Sequence, residues 1–267
     1  MPELAEVEYY RKQWDCGLGG CIMTVKLHAE TRVFRGTVPL ALKKALPGSE
    51  LLHSEAHGKQ MLFRFSNECW LGLHLGMTGE LRVEPVDFQP GRHEHLVLYQ
   101  AERALVFSDP RQFGRIRFSR HAQAPEWWIN LPAPLTSGEF TLTQMGTFLE
   151  RHRKLAIKPA LLLQNGFPGL GNWMVDEILW RSGLDPHTPA GDLTGKARQN
   201  LWRTIRFVCR QSLRIVGQDY SELPAGWLFH QRWDRNGHCP RHGSTLARGT
   251  VGGRTTVWCG RCQPPCD

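Results

Sequence analysis

The sequence predicts an α+β protein made of an N-terminal β domain that begins with a helix, a helical domain, and a small C-terminal metal module. Three observations lead to this fold class. Short segments of alternating polarity, separated by turns, run from 21 to 118, whereas helical spacing of apolar residues prevails from 141 to 216. Four of the eight cysteines lie in the last 29 residues, which favours a bound metal over disulfides. We place the domains at 1–134, 135–217 and 218–267.

The first helix is predicted from Glu3 to Trp14, because apolar residues recur there at helical spacing. Pro2 marks its start and Gly17 its end. In the sequence that follows, short segments of alternating polarity are typical of half-buried strands, for example at 61–65. It predicts a β-sandwich or barrel rather than alternating β and α units.

A proline-rich stretch at 123–138 is predicted to link the β domain to the helices that follow it. Apolar spacing then predicts four helices, at 141–153, 157–163, 172–181 and 193–216. A connecting loop at 217–226 and short strands around the Cys/His cluster complete the chain.

The composition favours an anionic partner. Lys and Arg number 33 and Asp and Glu 25, which gives a net charge of +8 and a pI near 9.3. Nucleic acid is the first candidate for such a basic chain. No signal peptide is apparent, and no apolar stretch approaches the roughly 20 residues that span a bilayer. We therefore expect an intracellular, cytoplasmic protein without a membrane partner, whose scattered cysteines are free buried thiols: Cys16, Cys21, Cys69 and Cys209.

The start of the chain offers a reactive amine. If Met1 is removed, Pro2 becomes a secondary amine, and a pKa near ~8 leaves an appreciable fraction neutral at pH 7. Such an amine can attack an aldehyde-like carbon and form an iminium ion. The carboxylates of Glu3 and Glu6 could move protons beside it. The alternative is that Pro2 and the early glutamates only suit the start and the dipole of a helix.

The C-terminal cysteines belong to two short knuckles separated by sixteen residues, Cys239-Pro-Arg-His242 and Cys259-Gly-Arg-Cys262. Cysteine and histidine at this spacing predict tetrahedral structural zinc, and four protein ligands leave no open position for catalysis. Cys266 is an alternative fourth ligand, and His238 fits less well. Gly252-Gly253 between the knuckles predicts a hairpin.

Two turns of the β domain carry large side chains that could wedge into a base stack. Met77 lies in the turn at 74–79 and Phe113 in the turn at 109–114, where an arginine, Arg111, accompanies it. The alternative for each apolar side chain is that it fills the core.

Two further cations and one loop could meet phosphate. Lys59 follows a glycine in a turn, and Arg254 lies near the tip of the predicted hairpin. A guanidinium can grip a phosphate, although a turn cation is by default a solvated charge. The glycine-rich loop at 164–172 leads into a helix N-terminus, which attracts anions. The alternative is an ordinary turn in which Asn172 is the N-cap.

Taken together, these stretches resemble the formamidopyrimidine-DNA glycosylase / endonuclease VIII family. The resemblance spans the whole chain in order. It is carried by the Pro-Glu-Leu-x-Glu-Val-Glu start, the Gly-Lys turn, His-Leu-Gly-Met-x-Gly, Asp-Pro-Arg-x-Phe-Gly, Gly-Leu-Gly-Asn and the terminal Cys/His hairpin.

The resemblance implies an N-terminal β-sandwich with a leading helix, a helix-two-turn-helix domain and a zinc finger, with DNA in the cleft between the lobes. It implies that a damaged nucleotide is flipped out of the stack. The amine of Pro2 would then attack C1′ of its sugar, expel the base and leave an iminium, and elimination would cleave the strand. We expect a monomer that acts on double-stranded DNA with damaged bases or abasic sites.

The resemblance also implies a role for each site residue. Glu3 would be the acid/base, Glu6 would support the N-terminal loop, and Lys59 would be a catalytic residue that contacts the phosphate near the lesion and assists proton transfer. Three residues would fill the gap left by the flipped base: Met77, Arg111 and Phe113. Four would hold the kinked phosphates: His74, Lys158, Asn172 and Arg254. Glu177 matches a family carboxylate near the active site.

The chain departs from the family pattern at several positions. Ala5 replaces a second proline, Phe167-Pro168 replace small residues, Trp173-Met174 stand where an aliphatic residue and tyrosine are common, and His242 replaces a zinc cysteine. The loop at 217–226 is short, which puts recognition of 8-oxoguanine in doubt.

The leading hypothesis is a bifunctional DNA glycosylase/AP lyase of base excision repair. The first alternative is a damage-binding protein on the same scaffold without turnover. The second is a zinc-dependent transcription regulator, supported only by the charge and the finger. The sequence leaves open the preferred damaged base, the opposite base, and whether elimination is β or β,δ.

Overall fold

The computed structural model describes residues 1–28 and 31–265, in two compact units at Met1–Leu131 and Pro132–Asp267. The helical part and the C-terminal hairpin both belong to the second unit. The three-part division drawn from the sequence stays a prediction. No helix in the described part of the chain combines the length and the apolar character needed to cross a membrane.

The first unit is a sandwich of two antiparallel four-stranded sheets, which confirms the predicted fold class. One sheet has the order β2-β3-β4-β8, formed by Leu51–His57, Gln60–Phe65, Cys69–His74 and Arg115–Arg120. The other has the order β1-β6-β7-β5, formed by Thr24–Leu27, Glu94–Tyr99, Arg103–Ser108 and Glu80–Pro85. Alternate residues of both sheets face one shared apolar core.

Helix α1 (Leu4–Gln13) leads into the sandwich as the sequence predicts. Glu3 and Glu6 form a capping box at its start, which satisfies backbone groups that a helix N-terminus leaves open. Trp14, just after the helix, is fully buried, and its ring centroid lies 4.9 Å from that of Phe63. The capping box therefore orders the start of the helix, and Trp14 attaches its end to the sandwich.

Two short helices lie where the sequence was read as strands or linker. Helix α2 (Pro39–Ala45) was missed because it is only seven residues long, too short to show a clear helical spacing of apolar residues. Pro39 in its first turn and the buried Leu42 are compatible with a helix. Helix α3 (Glu126–Ile129) lies inside the predicted linker, where Trp127 packs against Gly72 of β4.

The second unit contains α4 (Leu142–Arg151), α5 (Ile157–Leu161), α6 (Asn172–Ser182), α7 (Gly195–Asp219) and α8 (Leu228–Gln231). The four helices predicted at 141–216 are present with small shifts in their ends. Gly171, not Asn172, is the N-cap of α6, so the N-cap interpretation of Asn172 was wrong. Helix α7 runs past the predicted end to Asp219 and stops where Tyr220 takes a left-handed conformation with φ 63°.

The predicted C-terminal hairpin is present as β9 (Ala247–Val251) and β10 (Arg254–Trp258). Gly252 and Gly253 form its turn with φ of 58° and 73°, a region that favours glycine. A Cβ on Gly252 would also lie 2.7 Å from Pro159 of α5. The hairpin tip therefore packs closely on the helical part of the unit.

The four scattered cysteines differ in exposure. Cys69 and Cys209 are buried, as expected, whereas Cys16 and Cys21 are exposed, so the prediction of buried thiols was wrong for these two. Both exposed cysteines lie in the connection between α1 and β1 and not in a regular element of the core.

Candidate functional site

The N-terminus is held by the carboxylate of Glu6. The backbone N–H of Glu3 donates to Glu6 Oε2 at 3.2 Å, and the side chain of Glu3 is buried. This contact fixes the backbone next to Pro2, which is half-buried. With Met1 in place the nitrogen of Pro2 is an amide, so the reactive amine exists only after Met1 is removed.

Lys59 and His74 lie beside each other at one end of the first sheet. Lys59 occupies the β2–β3 turn after Gly58, whose φ is 61°, and Gln60 of β3 pairs with His74 of β4. Burial, and then the ammonium of Lys59, lower the pKa of His74 to about 4. The backbone N–H of Gly76 donates to Nδ1 of His74 at 3.0 Å. At pH 7 His74 is therefore neutral and carries its proton on Nε2, where it can donate a hydrogen bond.

Asp109 ties together the two turns that carry the predicted wedge. Its buried carboxylate accepts hydrogen bonds from the hydroxyl of Thr78 at 2.7 Å and from the backbone N–H groups of Arg111 at 3.3 Å and Gly114 at 2.6 Å. The turns also touch through their backbones, since a Cβ on Gly76 would lie 2.4 Å from the nitrogen of Gly114. One carboxylate thus sets the relative position of both turns.

The side chains that these turns present are exposed. Met77 is 41% exposed and Phe113 is 45% exposed, so the core-filling alternative is wrong for both. The guanidinium carbon of Arg111 lies 4.8 Å from the ring centroid of Phe113, close enough for a cation–π contact. The structure therefore brings Arg111 and Phe113 together on the turn that Asp109 joins to the turn of Met77.

Arg35 is a supporting residue that the sequence reasoning missed. Its guanidinium donates to the carbonyls of Gly114 at 2.9 Å and Phe113 at 3.3 Å. The preceding backbone N–H of Arg32 reaches Gln112 Oε1 at 3.3 Å. These hydrogen bonds support the turn that carries Phe113. The sequence does not reveal them, because the partners of Arg35 lie almost 80 residues further along the chain.

In the second unit a buried aspartate holds the hairpin. Asp176 accepts from the ammonium of Lys158 at 2.6 Å, from the guanidinium of Arg232 at 2.8 Å, and from the backbone N–H of Val257 in β10 at 3.3 Å. Lys158 also donates to the carbonyl of Thr255 at 2.9 Å. Both cations are buried, so this network lies within the unit.

The position of Lys158 corrects the role expected of it. Its side chain is 0% exposed and its ammonium is engaged by Asp176 and by the carbonyl of Thr255. A buried ammonium does not reach a phosphate in solvent. Lys158 therefore supports the hairpin from inside, and its burial contradicts the expected contact with phosphate.

Asn172 contacts β10 at the residue next to Arg254. Asn172 Nδ2 donates to the carbonyl of Thr255 at 2.8 Å, while its Oδ1 is buried without a hydrogen-bond partner in the described residues. Arg254, the neighbour of Thr255, is exposed at the start of β10. The amide of Asn172 thus fixes the backbone that carries the exposed guanidinium of Arg254.

Glu177 anchors α8 to α6. Its buried carboxylate accepts from Arg181 Nε at 2.6 Å and from the backbone N–H of Phe229 at 3.1 Å. Burial raises the pKa of Glu177 to about 7, although Arg181 opposes the shift.

The four predicted metal ligands converge. Cys239 Sγ lies 3.7 Å from Cys262 Sγ, and His242 Nε2 lies 3.7, 3.6 and 3.1 Å from the sulfurs of Cys239, Cys259 and Cys262. A tetrahedral ion with sulfur ligands at about 2.3 Å separates those sulfurs by roughly 3.8 Å, so the donor set fits one metal ion. The cluster among the described residues comprises these four, without His238, and Cys266 lies outside those residues.

Comparison with known proteins identifies the family. Residues 1–116 match the model of the formamidopyrimidine-DNA glycosylase N-terminal domain, and residues 132–222 match that of its H2TH domain. A formamidopyrimidine-DNA glycosylase of Geobacter metallireducens is 33% identical over 277 residues, which cover 98% of this chain and 100% of the relative. One of Roseiflexus is 34% identical over 275 residues, with 98% and 100% covered. The chain belongs to the formamidopyrimidine-DNA glycosylase family.

Solved structures of family members agree with the fold. Lactococcus lactis Fpg (MutM), in complex with DNA that contains an oxidised pyrimidine, superposes with a TM-score of 0.88 at 25% identity, covering 99% of this chain and 100% of that one. A complex of MutM with DNA that contains carbocyclic 8-oxo-G gives a TM-score of 0.87 at 26% identity.

The departures from the family pattern lie mostly in packed positions of this glycosylase-family chain. Ala5, Phe167 and Met174 are fully buried, and the ring of Phe167 lies edge-on to that of Phe148, with centroids 5.4 Å apart. Trp173 packs edge-on against Phe229 of α8 at 5.1 Å. These side chains therefore lie in the interior and not among the exposed candidate residues.

Proposed function

We propose that this chain is a bifunctional DNA glycosylase/AP lyase that removes oxidised bases through a Schiff base on Pro2. The proposal rests on how the first unit holds the N-terminus and the two turns that expose Met77 and Phe113. Glu6 holds the backbone of the buried Glu3 next to Pro2, and Asp109 holds the turns that expose Met77 and Phe113. An amine beside a carboxylate is suited to sugar chemistry, and exposed apolar side chains on a fixed turn are suited to replace a flipped base.

The reaction follows from the chemistry of a secondary amine. The nitrogen of Pro2 bonds to C1′ of the sugar as the bond from C1′ to the base breaks, and the base leaves with a proton that Glu3 supplies or relays. Opening of the sugar gives an iminium, which makes the C2′ proton acidic. Loss of that proton expels the 3′ phosphate, and water then releases the amine.

The remaining site residues would bind the DNA. Lys59 and the Nε2–H of the neutral His74 would contact phosphates beside the lesion, and Arg254 would contact phosphate from the hairpin. Asn172 would act with Arg254, and Arg111 would face the orphaned base. Structural Zn²⁺ on the Cys239, His242, Cys259 and Cys262 cluster would stabilise the hairpin without taking part in chemistry, because four protein ligands fill its coordination.

Damaged or abasic duplex DNA is the proposed partner, and a monomeric, nucleoid-associated protein is expected. The segment between α7 and α8 is only eight residues long, from 220 to 227. A substrate screen should therefore compare ring-opened purines and oxidised pyrimidines with 8-oxoguanine, for which we expect weaker excision.

Borohydride trapping tests the central step. Protein whose N-terminus has been verified to be Pro2 is mixed with a duplex that carries one abasic site, and borohydride reduces any iminium to a stable adduct. We expect a shifted band with the wild type and a loss of at least about 100-fold in trapping for Pro2→Gly, with DNA binding retained within a few-fold. Lys43→Gln on α2 is a control that leaves the band unchanged.

Tight binding of the same duplex with no trapped band would instead support the damage-binding alternative. An undiminished band with Pro2→Gly would mean that another amine is the nucleophile.

A further inference from the structure

The outer face of α7 carries an arginine-rich surface that the proposed reaction does not use. From 195 to 218 the helix contains six basic residues and no Asp or Glu. Arg198 and Arg206 are engaged within the unit, since Arg198 reaches Glu150 at 3.2 Å and Arg206 donates to the carbonyl of Ser137 at 2.5 Å. The other four basic side chains are exposed: Lys196, Arg203, Arg210 and Arg214.

Arg203, Phe207, Arg210 and Arg214 form one line along the helix, and we call these four residues the α7 patch. Their spacings of four, three and four residues place them on one face. Phe207 in the middle is 46% exposed. None of the three arginines forms an ion pair with any residue in 1–28 or 31–265, and Arg214 donates only to Gln211 at 3.0 Å.

The ring of Phe207 is supported from the side. The guanidinium carbon of Arg181 lies 5.3 Å from the ring centroid of Phe207 and 4.6 Å from that of the buried Trp227. Arg181 is itself fixed, because its Nε donates to the buried carboxylate of Glu177 at 2.6 Å. An exposed aromatic ring that rests on a fixed side chain and has arginines on both sides has the composition of a binding hot spot.

Charge and shape together indicate what the patch would bind. A row of like charges on one helix face is unfavourable, so a partner with carboxylates would relieve the repulsion. A duplex phosphate backbone would satisfy the arginines but leave Phe207 in water. A peptide with an apolar side chain between carboxylates would use both. The patch is about 17 Å long at 1.5 Å per residue, which an extended segment of roughly five residues spans.

We propose that the α7 patch is a docking site for an acidic segment of a partner protein, which places one apolar side chain on Phe207 and carboxylates on Arg203, Arg210 and Arg214. Carboxylates can engage guanidinium groups bidentately, which gives such a segment a defined register. The site is independent of the proposed glycosylase reaction, because none of its residues belongs to the reacting or DNA-binding set.

Fluorescence anisotropy with the full chain tests the proposal. The probe is a labelled peptide of sequence Asp-Glu-Phe-Glu-Asp-Leu, and a peptide with Lys in place of every acid is the negative control. We expect binding that weakens with salt and falls at least about tenfold in the R203E/R210E variant. Phe207→Ala should lower the affinity by about fivefold or more.

The matched control is K43E/K44E, which makes the same change of charge on the exposed surface of α2 in the first unit. It should leave peptide binding within about twofold of the wild type. Borohydride trapping should be the same for R203E/R210E and for K43E/K44E, because both double substitutions change the net charge equally.

Three outcomes would overturn the proposal. The peptide could fail to bind at 1 mM, or bind the patch variants and the control equally. Alternatively, R203E/R210E could leave peptide binding intact and weaken duplex binding well beyond the effect of K43E/K44E. The last result would assign the patch to nucleic acid.

Discussion

Each unit holds an exposed turn in place with one buried aspartate, but the two carboxylates have different partners. Asp109 in the first unit accepts from a hydroxyl and two backbone N–H groups, all of them neutral. Asp176 in the second unit accepts from the buried cations of Lys158 and Arg232 as well as from a backbone N–H. The difference lies in what remains when the carboxylate is lost, which is a set of unsatisfied donors in one case and two buried charges in the other.

The largest expected effect is that of Asp176→Asn. The change leaves the ammonium of Lys158 and the guanidinium of Arg232 buried without a counter-charge, which costs about 3–5 kcal/mol when one partner of a buried pair is removed. Denaturant unfolding of the second unit should show this loss. Glu222→Gln, which removes one exposed charge from the same unit, should change stability by less than about 0.5 kcal/mol. A loss below about 1 kcal/mol for Asp176→Asn would show that the two cations are hydrated.

Asp109→Asn should cost less, about 1–3 kcal/mol, because only neutral hydrogen bonds are affected. An amide offers one acceptor oxygen, so its NH₂ group faces either the N–H of Gly114 or the hydroxyl of Thr78. The first unit should lose stability while the second keeps its own. Asp87→Asn, on the exposed surface, is the control. An equal loss of stability for Asp109→Asn and Asp176→Asn would show that it makes no difference whether the partners of the aspartate are neutral or charged.

The two units should also respond to pH in opposite directions. The pKa of His74 falls from an ordinary 6.5 to about 4 in the folded state, so below pH 6.5 the unfolded chain binds the proton and stability is lost as pH falls towards 4. The pKa of Glu177 rises from 4.5 to about 7, so the folded state holds the proton in that window and stability is lost as pH rises from 4.5 to 7.

Each group should change the free energy of unfolding by about 2 kcal/mol between pH 5 and pH 7, with opposite sign. His74→Gln should therefore remove the first unit's loss of stability between pH 7 and pH 5, and Glu177→Gln should remove the second unit's loss of stability between pH 5 and pH 7. Unfolding measured at both pH values for each variant checks this. Variants that follow the wild-type pH dependence would show that neither group titrates in these windows.

What the sequence could predict depends on how local the pattern is. The four Cys/His residues that converge lie within 24 residues of one another, and their grouping was predicted correctly. Repeated short alternation predicted a sandwich or a barrel, and the family resemblance indicated the sandwich that is present. Asp176 was not recognised as an organising residue, because its partners are far away in the sequence; Val257, for example, is 81 residues from it. Asp109 has two partners in its own turn, but the hydrogen bond that joins the two turns comes from Thr78, which is 31 residues away. The phosphate-binding role expected of Lys158 was wrong for a related reason, because a sequence motif specifies the residue type but not whether the side chain is buried.

The smallest effect is expected at the hairpin tip. Arg254→Ala removes one exposed guanidinium, so it should lower the slope of log affinity against log salt for an abasic-site duplex by roughly one unit. Arg235→Ala, an exposed arginine of the same unit, is the control and should leave the slope unchanged. An unaltered slope for Arg254→Ala would mean that this side chain does not contact phosphate.

DNA binding also tests whether Asp176 positions Arg254. Lys158 and Asn172 both donate to the carbonyl of Thr255, and Asp176 holds Lys158, so the carboxylate should act on DNA through the position of Arg254. Conditions are chosen in which the Asp176→Asn protein remains folded and retains its metal. Asp176→Asn should then weaken DNA binding in the wild-type background and have little further effect in the Arg254→Ala background. Additive losses would show that Asp176 stabilises the unit without positioning the guanidinium, and only the difference between the two backgrounds separates these roles.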